Sequence, residues 1–129
     1  MPGGDTHAVV FADGDGVIRY WSSGAARLFG HAAGDTVGRT LDVIVPPRFR
    51  DQHWAAFRHA MRTGQAKNSG ARTNIPVLCA DGEVRPFPGT FVFLTDGHGV
   101  GVGAIAILGD PVGGEQTFGD VLPRRPERA

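Results

Sequence analysis

The spacing of hydrophobic residues changes along the chain, and its clearest helical stretch lies at 46–64. Apolar side chains recur there at offsets of three and four, which predicts an amphipathic helix. Pro47 suits the first turn, where its missing N–H would have no partner, and Gly64 suits the end. The predicted apolar face comprises Phe49, His53, Phe57, Ala60 and Met61. An imidazole therefore lies in the middle of an otherwise apolar stripe.

Short hydrophobic runs on both sides of this helix predict strands. They comprise 8–12 and 17–21 before the helix, and 71–80, 84–94 and 100–108 after it. Aspartate and glycine lie between successive runs on each side, which is typical of hairpin turns. Pro86 and Pro88 indicate an edge or a bulge at the start of the fourth run, because proline cannot donate to a strand ladder. The fifth run is apolar on both faces apart from its glycines, which predicts a central position in the sheet.

A short helix at 24–29 and brief turns within 35–45 are predicted between the second run and the long helix. The order of predicted elements, β-β-α-α-α-β-β-β, defines the fold class. Two strands at the start and three at the end must share one sheet. This predicts an α+β fold, with a five-stranded antiparallel sheet and the helices packed on one face. The arrangement leaves a cavity between the sheet and the long helix. The folded domain is predicted at 8–110, between a disordered lead at 1–7 and a flexible tail at 111–129.

Composition narrows the classes of partner. The 129 residues are enough for one domain, and 13 basic residues balance 13 acidic ones. Without a basic block in the domain, nucleic acid is not an expected partner. The single cysteine, Cys79, excludes an internal disulfide and is expected to be a small buried residue. No apolar run is long enough to cross a membrane, so we expect a soluble, cytoplasmic protein.

Four stretches, taken in order, resemble the motifs of the PAS family. They are FADGDGVI at 11–18, WSSGAARLFG at 21–30, VGR at 37–39, and Asp81-Gly82. The resemblance covers about 8–110, nearly the whole predicted domain. It implies the PAS fold, whose members bind many different ligands or none.

Within that family, the central helix resembles that of the haem-binding oxygen sensors. Pro46, Arg50 and His53 match their sequence frame. The resemblance implies haem b as cofactor, His53 as the axial iron ligand, and signal transduction in response to a diatomic gas or a redox change. His59 lies where those sensors carry an arginine that binds a haem propionate. Thr73 lies where they carry the arginine that contacts oxygen.

The residues themselves suit such a site. A single imidazole on one side of a haem iron leaves the other side open for a gas. The side chains expected to line a dry pocket for a flat macrocycle include Phe49, Phe57, Leu41, Ile44, Ile75, Val77, Phe91, Phe93, Ile105 and Ile107. Small residues such as Ala104 and Ala106 leave room. Arg50, Arg58, His59 and Arg72 are the candidates to meet the propionates.

Alternative interpretations stay open at this point. The plainer interpretation makes His53 a core or half-exposed histidine that is hydrogen-bonded to a carbonyl, and Trp54 is expected to pack at the rim of the domain. In place of a sensor, the chain would be a haem-dependent oxidative enzyme, or a ligand-free PAS module for dimerisation or protein contact. Because 111–114 stops any output helix, a signal would pass across a homodimer or to a separate signalling partner.

Overall fold

The computed structural model describes residues 6–66 and 69–111, and the structural statements below refer to these residues. Residues 1–5 of the predicted lead (1–7) and residues 112–129 of the predicted tail (111–129) lie outside the described residues. Thr6 and His7 are described, and the first strand begins at His7, one residue before its predicted start.

Five antiparallel strands form one sheet, as the sequence predicts. The strands are β1 (His7–Asp13), β2 (Ile18–Trp21), β3 (Thr73–Leu78), β4 (Val84–Thr95) and β5 (Gly101–Gly109). Their order across the sheet is β2-β1-β5-β4-β3. The central position predicted for the last strand is confirmed, because β5 pairs with β1 on one side and β4 on the other. The first and last strands thus pair with each other in the middle of the sheet.

The prolines of β4 lie where the sequence predicts an edge. Pro86 and Pro88 pair with β3, but the pairing of β4 with β5 begins only at Gly89. The start of β4 therefore has a strand on one side only, although β4 as a whole is an interior strand. A missing proline donor costs no ladder hydrogen bond on the open side.

Two helices pack on one face of the sheet. Helix α1 (Ser23–Phe29) begins after Ser22, whose hydroxyl accepts a hydrogen bond from the Ala25 amide, and it ends at Gly30 in the left-handed conformation. The long helix begins as a 3-10 turn at Pro47–Phe49 and continues as α2 (Arg50–Thr63). Gly64 ends it with a φ of 72°. Further 3-10 turns lie at Ala33–Asp35 and Leu41–Val43.

The densest part of the core lies on the α1 side of the sheet. Its buried residues are Ala8, Val10, Ile18, Trp21, Ala25, Phe29, Val77, Cys79, Phe87 and Leu108. Cys79 is buried among them, as predicted. Helix α2 adds the buried residues Phe57 and Ala60, which lie outside this cluster. The space between α2 and the sheet is therefore less completely filled. Among the described residues, no helix is long and apolar enough to span a bilayer.

Candidate ligand-binding site

A partly open void lies between α2 and the inner face of the sheet; we call it the inner cavity. Its volume is about 120 Å³. The lining residues are Val10, Ala12, Leu41, Ile44, His53, Phe57, Ile75, Phe91, Phe93, Ala104, Ile105 and Ala106. All of them are apolar except His53. An apolar lining of this kind favours apolar groups over water.

Three alanines on neighbouring strands create the void. Strand pairing sets Ala12 of β1 beside Ala104 of β5, and Ala104 beside Phe93 of β4. Ala106 lies two residues further along β5, on the same face. Because a methyl group extends only a short way from the sheet, α2 does not reach the strands here. The phenylalanines of β4 and Phe57 of α2 enclose the remaining space.

His53 supplies the polar group of the cavity wall. Its Nδ1 is buried and has no hydrogen-bond partner among the described residues. Burial lowers the pKa of His53 below its ordinary value of 6.5, and the Asp42 carboxylate opposes that shift only in part. The imidazole is therefore neutral at pH 7. A neutral ring donates from one nitrogen and accepts at the other, and Nδ1 lies too deep for solvent to contact it.

Neighbouring polar groups already have partners in the protein. The Trp54 indole donates to the Asp42 carboxylate at 2.7 Å. Arg50 donates to the main-chain carbonyls of Val45 and Asp42 at 3.0 and 3.1 Å. Trp54 also packs on Gly16, in the turn between β1 and β2. These contacts hold the start of α2 against the 3-10 turn at Leu41–Val43.

A second space, which we call the outer cleft, adjoins the inner cavity. Its volume is about 230 Å³, and it is lined by His53, Ala56, Phe57, His59, Ala66, Phe91 and Phe93. Four of these residues also line the inner cavity. His59 is exposed, so the outer cleft has a polar side chain at its solvent-facing side in addition to His53.

The structure brings together only part of the residue set that the sequence suggests. His53, Phe57, Ile75, Phe93 and Ile105 line the inner cavity. Ile105 borders it between Ala104 and Ala106, although strand alternation directs its side chain to the other face. Ile107, on that same opposite face, is 41% exposed.

The remaining candidates lie elsewhere. His59 borders the outer cleft. The Arg48 guanidinium lies over the Phe49 ring, 4.9 Å from its centre. Arg50 donates to the two main-chain carbonyls described above. Arg72 borders a separate groove with His7 and Ile107. Thr73 begins β3 opposite Gly89. None of Phe49, Arg50, Arg72 and Thr73 belongs to the lining of the inner cavity.

Val10 and Ala12 are lining residues that sequence reasoning did not identify. The alternation of Ala8, Val10 and Ala12 along β1 was the available signal, since all three are buried on one face. Their place opposite α2 depends on pairing between β1 and β5, which lie at opposite ends of the domain sequence.

The fit of a haem can be tested on two observations. The neutral, unpaired imidazole of His53 has the chemistry of an axial iron ligand. The inner cavity, at about 120 Å³, lies below the range of roughly 300–1,000 Å³ that is usual for small-molecule sites. A macrocycle would need the outer cleft as well. Within the described part of the chain, no three His, Cys, Asp or Glu side chains are grouped to hold a metal ion.

Comparison with known families gives a match over most of the chain. A family model described as "PAS fold" matches residues 5–111. An uncharacterised protein of Azorhizobium caulinodans is 31% identical over 80 residues, which are 61% of this chain and 11% of that protein. The chain thus covers about a tenth of the length of that relative.

Solved structures with the same fold include two bacterial PAS domains. The PAS domain of a protein from Colwellia psychrerythraea has a TM-score of 0.65 and 21% identity, over 81% of this chain and 85% of that chain. The PAS domain of the Cronobacter turicensis RpfR quorum-sensing receptor, in complex with C12:0, has a TM-score of 0.60 and 14% identity. That match covers 81% of this chain and 93% of that one. At these identities the likeness concerns the fold alone.

Proposed function

The chain belongs to the PAS family, and on that premise we propose that it is a sensory domain that binds a small, largely apolar molecule in the inner cavity. One observation carries the proposal. A void lined by apolar side chains lies against the centre of the sheet, and its wall includes His53, whose Nδ1 has no hydrogen-bond partner in the described part of the chain. A void of this kind is where a ligand gains most from burial.

The lining determines which ligands bind. Alanines at 12, 104 and 106 provide the room, and the surrounding aromatic and branched side chains favour apolar groups. A buried polar atom without a partner costs about 1–3 kcal/mol. A hydroxyl or carbonyl group of the ligand near His53 would remove that cost. An ionic ligand is disfavoured, because the inner cavity has no charged side chain to pair with it.

The comparison with other PAS domains supports an apolar ligand. The Cronobacter domain binds C12:0, the notation for a saturated twelve-carbon acyl chain. A bound ligand acts on the rest of the protein only through its different affinities for two conformations. Strands β4 and β5 line the inner cavity, so they would contact the ligand and carry the change. We propose that the signal passes to a second copy of the chain or to a separate partner in the cytoplasm.

Titration of the isotope-labelled protein with benzene tests the proposal. Benzene is expected to enter the inner cavity and to shift the amide resonances of Ala12, Ala104 and Ala106 in a saturable way. Amides on the α1 side of the core, such as that of Ala25, serve as the internal control and should not shift. Unchanged resonances at all three alanines would contradict the proposal and favour a ligand-free contact module.

Haem b is a second candidate, favoured specifically by the unpaired imidazole. In this version His53 would hold the iron, His59 in the outer cleft would be the nearest candidate for a propionate, and the domain would respond to a diatomic gas or a redox change. A bound haem would supply an iron with one open coordination position. The apolar walls formed by Phe57 and Phe93 would exclude water from it.

Absorption spectroscopy distinguishes the two candidates. Haemin added to the purified protein should give a saturable Soret band in the haem version, and His53→Ala should remove it. His59→Ala should leave the band in place and weaken haem retention. A spectrum equal to that of free haemin excludes haem, and leaves the apolar ligand as the surviving candidate.

A further inference from the structure

The inner cavity and the outer cleft share a wall that is one side chain thick. Four aromatic rings form it, because His53, Phe57, Phe91 and Phe93 line both spaces. The centre of the Phe57 ring lies 5.9 Å from those of His53 and Phe93, and the centres of Phe91 and Phe93 are 5.6 Å apart. A displacement of one ring would connect the two spaces.

The sizes of the two spaces indicate that an ordinary ligand occupies both. An apolar void of about 150 Å³ binds benzene, and the inner cavity, at about 120 Å³, is close to that size, so it holds a group no larger than benzene. Small-molecule sites usually measure roughly 300 Å³ or more. The inner cavity together with the outer cleft of about 230 Å³ reaches that range.

Among the four rings of the wall, His53 is the one with a buried polar atom that would gain a partner by moving. Its ring packs against those of Trp54 and Phe57, with ring centres 4.8 and 5.9 Å away. Phe57 is only 2% exposed and packs between the other rings. His53 is half-buried, and its Nδ1 has no hydrogen-bond partner in the described part of the chain. Turning the imidazole away from the wall therefore breaks no hydrogen bond at Nδ1. It would instead allow water to reach an atom that is buried without a partner.

The two spaces differ in polarity, which fixes the orientation of a ligand. The inner cavity offers apolar side chains around a single neutral imidazole. The outer cleft has the exposed His59 on its border and opens to solvent. The apolar part of a ligand belongs in the inner cavity, and its polar end belongs in the outer cleft.

We infer that the ligand is a single-chain amphiphile that spans both spaces, with its chain in the inner cavity and its polar end in the outer cleft, and that His53 is the gate between them. This inference rests on the proposed function, since it requires the inner cavity to be a binding site. It adds the ligand class, the route of entry and the residue that controls entry.

A pair of matched variants tests whether the ligand spans both spaces. Ala56→Phe fills the outer cleft, whereas Ala55→Phe places the same ring on the adjacent exposed position of α2, outside both linings. The probes are benzene, which fits the inner cavity alone, and 1-octanol, which requires both spaces. Calorimetry gives the affinities, and amide shifts at Ala104 and Ala66 report on the inner and outer sites.

Binding of 1-octanol should shift both amides and weaken at least tenfold in Ala56→Phe. The affinity for benzene should stay within threefold of the wild-type value in Ala56→Phe and in Ala55→Phe. If 1-octanol binds equally well to Ala56→Phe, or shifts only the inner amide, the spanning ligand is excluded while the proposed function stands. If neither benzene nor 1-octanol binds the wild-type protein, both proposals are excluded.

The gate is tested by exchange rates. His53→Ala should raise the association rate of 1-octanol at least tenfold in NMR exchange measurements, and Ala55→Phe should leave that rate unchanged. His53→Asn, which also shortens the side chain but keeps a polar group, serves as the second variant if the alanine variant does not fold. An association rate within twofold of wild type in the folded variant would exclude His53 as the gate.

Discussion

Filling the inner cavity from the sheet side should raise stability and remove ligand binding in the same protein. Ala104 is the suited position, because its neighbour on β1 is Ala12 and its side chain faces the void. An empty cavity costs about 24 cal/mol per Å³, so the 120 Å³ void costs the fold up to about 3 kcal/mol. A leucine here fills part of it. We expect Ala104→Leu to change the free energy of unfolding by between about 0 and +2 kcal/mol, allowing for some strain.

The increase in stability that a bound ligand causes provides the second half of the test. Benzene at a hundred times its dissociation constant stabilises a protein that binds it by about 2.7 kcal/mol. Urea denaturation with and without benzene should show this increase in the wild-type protein and in the control Ala55→Leu. In Ala104→Leu the increase should fall below about 0.5 kcal/mol. A variant that keeps the benzene response, or that loses more than about 1 kcal/mol of stability, would refute the assigned position of the cavity.

Three further predictions concern the scaffold and the imidazole. Ser22→Ala removes the cap of α1 and should cost about 1–2 kcal/mol in urea denaturation; a cost below about 0.3 kcal/mol would contradict that role. Gly16→Ala should cost more than about 2 kcal/mol, since its φ is +79° and the new Cβ would lie 2.3 Å from the Trp54 ring. The double variant that combines Gly16→Ala with Trp54→Ala should recover part of the stability lost in Gly16→Ala alone. Burial lowers the pKa of His53 in the folded protein despite the opposing Asp42 charge. Below pH 6.5 the unfolded chain therefore binds a proton at His53 more readily than the folded protein does. The free energy of unfolding of the wild-type protein, relative to His53→Ala, should therefore fall as the pH decreases from 7.5 to 5; a pH-independent difference would contradict this.

The turns and helix ends were accessible from the sequence because they depend on residues close together in the chain. Asp13 accepts hydrogen bonds from the amides of Asp15 and Val17 within its own turn. Gly64 ends α2 in a left-handed conformation that glycine adopts without strain. The hydrophobic period of α2 likewise fixed which face meets the sheet, and Phe57 is buried as that period requires. Such local rules hold whatever the rest of the chain does.

The depth of the void between α2 and the sheet depends on how closely the two approach, and no short segment encodes that distance. Gly101 of β5 permits the approach at one end, since a Cβ there would lie 2.5 Å from Met61 Cα. Trp54 sets the spacing at the other end by packing on Gly16 and donating to Asp42. The helix is therefore close to the strands at its C-terminal end and stands off where the alanines lie.

The sequence by itself determined that five strands and a long helix with an inward imidazole would form, because alternation, helical period and turn chemistry are properties of neighbouring residues. Only the tertiary structure decided that Ala12 and Ala104, 92 positions apart, lie side by side. It also decided that Arg50 bonds to carbonyls while His59 borders the outer cleft. Packing between distant segments controls these outcomes, since both the volume of a cavity and the partner of a charged side chain are set by whatever lies on the opposite wall.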